Sequence, residues 1–215
     1  MSKSTIESVR DQLLALPVDS FVRVGDLIGE RAAVTSALSR IAVERESAVL
    51  RVRRGLYWRT EWTRFGPSRP GLRQIVKQIT PPSTGPAGLA AVHALQLTTQ
   101  VPGTVYFAVP GRAPRPIWGV KFLDRPLRRA ELDLQWLEIA LLEIFRGGRW
   151  FIEVDWPYLV DRIRKLSTEG WIRLDVVSAA AEDERHSEVC HRLAELADQA
   201  NRGTSRGPSS PSRCP

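Results

Sequence analysis

Apolar side chains recur at helical spacing in the first part of the chain. Over residues 4–16 they fall near positions i, i+3, i+7 and i+8, which places them on one face of a helix that Pro17 ends. The same spacing predicts a short helix over 24–28 and a third helix from Arg31 to about Glu46. The apolar face of the third helix consists of Val34, Ala37, Leu38 and Ile41.

Two short segments with strand character follow the third helix. Residues 49–53 and 56–59 combine aliphatic or aromatic residues with arginines, and Arg54–Gly55 between them has the composition of a turn. Three helices followed by a β-hairpin are the elements of a winged helix-turn-helix domain, whose later helix enters the DNA major groove. We therefore predict such a DNA-binding domain over residues 1–62.

The remainder of the chain mixes helices and strands. Residues 63–80 are typical of a linker that leads into a connecting helix at 72–79, since Pro67 and Pro70 disfavour regular structure. A mixed α/β domain is predicted over 81–200. Its predicted helices lie at 89–97, 131–145, 155–166 and 179–200, and its predicted strands at 105–109, 117–123 and 171–177. The overall fold class is therefore α+β.

Three smaller features complete this prediction. The segment 81–88 has the composition of a loop, and Glu138 falls on the polar stripe of the helix predicted at 131–145. The final residues, 201–215, contain no acidic and no aliphatic side chain. We therefore expect them to form a disordered tail.

The composition is that of a folded protein. Of the 215 residues, 43% are hydrophobic and 26% are charged, which excludes wholesale disorder. No apolar run approaches the roughly 18–20 residues of a membrane-spanning helix, and the first residues lack the apolar core of a signal peptide. With Cys190 and Cys214 as the only cysteines, no disulfide framework is expected. These features predict a cytoplasmic protein without a membrane partner.

The positive charge is concentrated at one end of the chain. The formal net charge is +7, of which residues 1–80 carry +6 and residues 81–215 only +1. Residues 51–80 contain eight Lys and Arg but a single acidic residue, Glu61. Of the 31 cationic side chains 27 are arginines, which suit bidentate contacts to phosphates and guanine edges. A codon bias toward arginine would explain that ratio but not the clustering.

The predicted third helix and hairpin carry the polar side chains that DNA contacts require. With its apolar face buried, the helix would present the candidate DNA-binding residues Arg31, Thr35, Ser36, Ser39 and Arg40. The hairpin would add Arg51, Arg53, Arg54 and Arg59 for contacts to the backbone or a minor groove. The alternative is a small helical domain with an ordinary solvated polar face. Element order, hairpin and local charge together favour DNA binding.

Two blocks of the sequence resemble a known family. The first is DLIGERAAVTSALSRIAVERESAVLRVRRGLYWR at 26–59, and the second is PAGLAAVHALQLTTQVPGTVYFAVPGRAPRPIWGVKF at 86–122. Both resemble the AbiEi-type antitoxins, which pair with nucleotidyltransferase-like toxins in bacterial toxin–antitoxin and abortive-infection systems. The RGLY hairpin and the TTQVP segment are the most specific parts of a resemblance that covers roughly 20–180. Residues 44–47 depart from the family, in which a glycine commonly precedes the wing.

The resemblance implies a protein with two tasks. The amino-terminal domain would bind double-stranded operator DNA, as a homodimer if it acts as a symmetric pair, and repress its own operon. The carboxy-terminal domain would counteract a cognate nucleotidyltransferase-like toxin, with or without direct contact. The alternative is a stand-alone winged-helix transcriptional regulator without a toxin partner.

The sequence contains no recognised catalytic constellation. It has no G-x-S-x-G elbow, and GPAG at 85–88 lacks the lysine of a phosphate-binding loop. His186 and Cys190 have the i, i+4 spacing of metal ligands, but no second pair of ligands lies nearby in the sequence. We therefore expect no catalytic residue, no metal and no cofactor, and a protein that is not an enzyme.

Overall fold

Helices and short strands alternate in the part of the chain that the computed structural model describes, residues 4–184 and 186–204. This part divides between Ile75 and Val76 into two compact units, which we name unit 1 and unit 2. Each unit combines helices with a three-stranded sheet, so the predicted α+β class is confirmed. No helix within the described ranges is both long and apolar enough to cross a membrane.

Unit 1 is built around an antiparallel sheet. In chain order its first elements are α1 (Thr5–Ala15), β1 (Ser20–Arg23), a 3₁₀ turn (Val24–Asp26), α2 (Arg31–Ile41), β2 (Val49–Arg53) and β3 (Leu56–Arg59). Strand β3 lies between β1 and β2 and pairs antiparallel with both. The helices share one apolar core with the sheet, which includes Val9, Leu13, Val22, Val34, Leu38, Ile41 and Val49.

Local hydrogen bonds and backbone conformation fix where the helices of unit 1 begin and end. Ser4 and Glu7 form a capping box at the start of α1, with Ser4 N 3.0 Å from Glu7 Oε2. Helix α2 ends at Ile41, after which Val43 N and Glu44 N bond to carbonyl oxygens three residues back in turns, and Glu46, with a φ of +57°, lies outside any helix. This left-handed conformation ends an α-helix and favours glycine. The helix predicted at 24–28 is a single 3₁₀ turn.

A second, smaller hairpin follows β3 in unit 1. It consists of β4 (Trp62–Thr63) and β5 (Gly66–Pro67), which except for Trp62 lie in the segment predicted as a linker, 63–80. Trp62 Nε1 donates a hydrogen bond to the carbonyl oxygen of Ser47 at 2.8 Å, which attaches the hairpin to the loop before β2. These residues therefore fold as part of unit 1. Proline is tolerated here because β5 is an edge strand.

Unit 2 has its own three-stranded sheet, surrounded by helices. After α3 (Leu72–Ile79), which has the predicted bounds, come β6 (Gly85–Ala87), α4 (Leu89–Ala94), β7 (Val105–Pro110), β8 (Val120–Arg125), α5 (Trp136–Glu143), α6 (Trp156–Thr168), α7 (Leu174–Asp183) and α8 (Ser187–Thr204). Strand β7 is central; β6 pairs with it antiparallel and β8 parallel. A π-helical turn (Ile144–Gly148) extends α5.

Several predicted elements of unit 2 are corrected by the structure. The segment predicted as the loop 81–88 contains β6, where a Cβ at Gly85 would lie 2.7 Å from the Ile139 side chain. Only glycine allows this close approach, so the glycine that suggests a loop instead marks tight packing. The strand predicted at 171–177 is wrong, because most of its residues belong to α7 or lead into it.

The carboxy-terminal helices also differ from the prediction. The helix predicted at 179–200 is two helices, α7 and α8, separated near Glu184. The buried face of α7 continues through Val177, Ala180 and Ala181, so its helical spacing begins earlier than expected. The tail predicted at 201–215 overlaps the end of α8, which reaches Thr204, and otherwise lies outside the described residues.

Glu138 is buried and not on a polar stripe. Its side chain is fully enclosed, and its carboxylate accepts hydrogen bonds from Arg173 N at 2.9 Å and Arg173 Nε at 2.7 Å. It also accepts one from Gln135 N at the start of α5. Burial alone would raise the pKa of Glu138, but the bonds from Arg173 and Gln135 outweigh it and lower the pKa. The polar residue is therefore an internal anchor that joins α5 to the segment before α7.

A buried charge cluster of five side chains joins β8 to the ends of α5 and α7. Arg125 donates from Nε and Nη2 to the two carboxylate oxygens of Glu143, at 2.7 and 2.6 Å. Arg129 donates to Glu143 at 2.8 Å and also to Glu184, which Arg146 contacts as well. Burial would raise the pKa of Glu143, but the hydrogen bonds and charges of Arg125 and Arg129 lower it. Glu143 is therefore held ionised inside unit 2.

Candidate nucleic-acid interface

Helix α2 turns one face into the core of unit 1 and the other to solvent. Val34, Ala37, Leu38 and Ile41 are buried, as the helical spacing predicts. Arg31, Ser36 and Arg40 are consequently exposed, and Thr35 and Ser39 are half-buried at the edges of the polar face. All five candidate residues of the helix therefore reach its solvent side, although to different degrees.

Two of the candidate hydroxyl groups already have partners within the protein. Thr35 Oγ1 donates to the carbonyl oxygen of Arg31 at 2.7 Å, a bond within the helix. Ser39 Oγ lies 3.4 Å from the hydroxyl of Tyr57, which links α2 to β3. The side chains of α2 that remain open for a ligand are thus Arg31, Ser36 and Arg40.

The amino terminus of α2 is closed by a carboxylate of the protein itself. Glu30 accepts hydrogen bonds from the backbone N of Ala32 and Ala33, at 3.0 and 2.8 Å. These two backbone bonds lower the pKa of Glu30. Because Glu30 occupies these two helix-end donors, we expect a phosphate to be bound mainly by side chains here.

The hairpin of β2 and β3 carries three exposed arginines. Arg51 and Arg53 lie on either side of the buried Val52, and Arg54 is in the turn. The turn is completed by Gly55 with a φ of +79°, a left-handed conformation that glycine adopts without strain. The predicted hairpin is confirmed with its predicted bounds.

The exposed arginines of α2 and the hairpin are unpaired. Within residues 4–184 and 186–204, no ion pair or side-chain hydrogen bond involves the guanidinium groups of Arg31, Arg40, Arg51, Arg53 and Arg54. The arginines of unit 2 include many that are held in ion pairs, among them Arg125, Arg128, Arg129, Arg146, Arg164 and Arg173. Unpaired positive charge is therefore concentrated on α2 and the β2–β3 hairpin of unit 1.

A polar concavity of about 700 Å³ lies between the start of α2 and the turn of the hairpin. It is lined by Arg31 and Thr35 from α2, by Arg54 from the turn, and by Arg23 and Asp26. Side chains of α2 and of the hairpin turn therefore line the same concavity. Arg23 is a residue that the sequence reasoning missed, because β1 has no clear alternation that would mark it as a strand.

Arg59 does not belong to the exposed set. Only 9% of its surface is exposed, and its guanidinium group donates to the carbonyl oxygens of Leu13 at 3.0 Å, Ala48 at 3.1 Å and Thr60 at 3.0 Å. The prediction that Arg59 contacts DNA is therefore corrected. From inside unit 1, the Arg59 side chain connects α1 to the segments before β2 and after β3.

Replacing Arg59 with methionine should destabilise unit 1 and leave DNA contacts unaffected. Three carbonyl groups would each lose a hydrogen bond from a charged donor, although those of Leu13 and Ala48 keep a backbone donor, and the expected cost is about 2–4 kcal/mol of unfolding free energy. Urea unfolding measures this loss. Arg69→Met, at an exposed arginine of the same unit, is the control and should change stability by less than about 0.5 kcal/mol. Unchanged stability together with weakened DNA binding in Arg59→Met would contradict the structural role of Arg59.

Comparison with known proteins identifies a similar fold but no family. No protein-family model matches the sequence, and no curated protein matches it. Among solved structures, the crystal structure of the Rv2827c protein from Mycobacterium tuberculosis is similar, with a TM-score of 0.53 and 16% identity. The match covers 93% of this chain and 78% of that one, so it extends over both units. The two proteins share a fold.

Proposed function

We propose that unit 1 is a winged helix-turn-helix domain that binds double-stranded operator DNA, with α2 as the recognition helix and the β2–β3 hairpin as the wing. The observation that carries the proposal is the set of five exposed, unpaired arginines on α2 and the hairpin, two of which, Arg31 and Arg54, line one concavity. A polyanion is the partner that such a surface favours. The order α1, β1, 3₁₀ turn, α2, β2, β3 is compatible with this domain type.

The two elements would contribute differently to recognition. Arg31, Ser36 and Arg40 lie on the open face of a helix, which fits the major groove and can reach base edges. The exposed arginines of the hairpin lie at the end of β2 and in the turn, which suits contacts to the phosphate backbone. Specificity would therefore come mainly from α2, and salt-dependent affinity mainly from the hairpin.

For the whole chain we propose an antitoxin that represses its own operon and whose unit 2 counteracts a nucleotidyltransferase-like toxin. The support is the resemblance of residues 26–59 and 86–122 to the AbiEi-type antitoxins, since each block falls in a different unit. A stand-alone transcriptional regulator is the alternative. Rescue of growth separates the two: co-expression with the toxin encoded beside its gene should restore growth only if the chain is an antitoxin.

Binding to the chain's own upstream DNA tests the regulatory part of the proposal. Fluorescence anisotropy with the full-length protein should give an affinity at least about 10³-fold tighter for the upstream duplex than for a scrambled duplex. Both titrations are run at the same salt concentration, because nonspecific affinity varies steeply with salt. Equal affinity for the two duplexes would contradict operator binding.

Replacing Arg40 with glutamine should reduce discrimination between the two duplexes. If Arg40 contacts a base, affinity for the operator should fall by about 10–100-fold, and affinity for scrambled DNA should fall much less. The matched control is Arg69→Gln, an exposed arginine outside α2 and the β2–β3 hairpin. A uniform loss on both duplexes would instead assign Arg40 to the phosphate backbone.

A further inference from the structure

Unit 2 contains a cavity of about 450 Å³ beside the charge cluster. Its apolar lining includes Leu89, Pro102, Tyr106, Leu123 and Phe151. Its polar side consists of Arg125, Glu143 and Arg146. Small-molecule sites have this character, with a few convergent polar groups in a mainly apolar space of about 300–1,000 Å³.

The charge cluster at the polar side carries one positive charge in excess. Its three guanidinium groups contact two carboxylates. Asp124 also attracts the guanidinium group of Arg125 through space, but within the ranges that the structure describes it forms no ion pair with the cluster, and its Oδ1 accepts from Ala113 N at 2.9 Å. Arg129 is 2% exposed, and its Nη2 has no hydrogen-bond partner in the described part of the chain. An uncompensated charge in a low-dielectric interior is costly.

Arg146 is a cation of the charge cluster that also lines the cavity. It lies in the π-helical turn after α5, and 26% of its side chain is exposed. Its Nη1 contacts Glu184, and no other atom of its guanidinium group has a partner among the described residues. Such π-helical turns frequently occur at functional sites. Lys121 adds a further cation nearby, with Nζ 5.6 Å from the ring centre of the cavity residue Tyr106.

We propose that this cavity binds a small organic monoanion, a largely apolar molecule with a flat body and one carboxylate or sulfonate group. The body would pack among Tyr106, Leu123 and Phe151, and the anion would accept hydrogen bonds from Nε and Nη2 of Arg146. An anion neutralises the excess charge of the cluster, whereas a neutral molecule of the same shape gains only apolar burial. The site lies wholly in unit 2 and is independent of DNA binding by unit 1.

Two fluorescent probes with the same aromatic body test the charge requirement. 8-Anilinonaphthalene-1-sulfonate carries one sulfonate, and N-phenyl-1-naphthylamine is its neutral counterpart. The full-length protein should bind the sulfonate at one site and about tenfold more tightly than the neutral probe, as measured by fluorescence titration with calorimetric stoichiometry. Equal affinities, or a sulfonate distributed over several equivalent sites, would overturn the proposal.

Variants assign the binding to this cavity. Arg146→Gln should weaken sulfonate binding about tenfold and leave the neutral probe unchanged. The control Arg128→Gln removes an arginine that is 71% exposed, paired with Asp183 and outside the cavity lining, and it should change neither affinity. Equal effects of the two variants on the sulfonate would overturn the assignment.

A cavity-filling variant gives a second test that does not disturb the charge cluster. Gly103 lines the cavity, and a Cβ at this position would have no heavy atom within 4 Å. Gly103→Leu should therefore fold normally, as circular dichroism can verify, and reduce the affinity for both probes at least about tenfold by occupying the space. Unchanged binding of both probes to Gly103→Leu places them elsewhere and overturns the proposal.

Discussion

Glutamine in place of Arg51, Arg53 and Arg54 together is expected to weaken binding to every DNA duplex by about 10²–10³-fold near 0.1 M salt. The three guanidinium groups are exposed and unpaired on the hairpin, so each is free to neutralise one phosphate. Each such contact contributes about 0.9 to the slope of log affinity against log salt, so the slope should become less steep by about 2.7. Anisotropy titrations at several salt concentrations measure both quantities.

The matched control for this triple variant removes the same charge from unit 2. Arg112, Arg115 and Arg128 are exposed arginines there, and their joint replacement by glutamine lowers the net charge equally. If the hairpin is a DNA-contacting wing, the control should retain most of the affinity and the salt slope. Equal losses in the two triple variants would show that only overall charge matters. The hairpin would then have no special role.

Helix α2 and the hairpin could be predicted from the sequence because the residues that determine them are neighbours in the chain. The spacing of Val34, Leu38 and Ile41 defines a face without reference to the rest of the chain. The Arg54–Gly55 turn likewise fixes the hairpin through its own residues. The outward direction of Arg51, Arg53 and Arg54, before and in that turn, follows from the hairpin and its buried Val52.

Arg59 could not be placed from the sequence because its burial depends on a distant strand. Strand β3 is central, and all four of its residues are buried. Its neighbour β1 pairs Ser20 with Arg59, a contact between residues far apart in the chain. An arginine at the end of a hairpin strand looks solvent-exposed until this pairing is known. The same holds for Glu138, whose partner Arg173 lies 35 residues further along the chain, just before α7.

Glu143→Gln is expected to lower the unfolding free energy of unit 2 by about 3–5 kcal/mol at neutral pH, the effect of removing one partner from a buried ion pair. Glu143 is 2% exposed and accepts hydrogen bonds from both Arg125 and Arg129, so a neutral amide would leave two guanidinium charges poorly compensated. Scanning calorimetry of the full-length protein measures the loss. The control Glu131→Gln replaces an exposed glutamate of the same unit and should cost less than about 0.5 kcal/mol.

The pH dependence of this difference provides an independent check of its cause. The pKa of Glu143 in the folded protein is lowered from its ordinary value of 4.5, so the unfolded state binds the proton more readily. The stabilisation is therefore complete well above pH 4.5 and is lost as the pH falls through the lowered pKa. The gap between wild type and Glu143→Gln should be constant near neutrality and should shrink on acidification below that value. A gap that does not change with acidification would attribute the loss to packing and not to the ionised carboxylate.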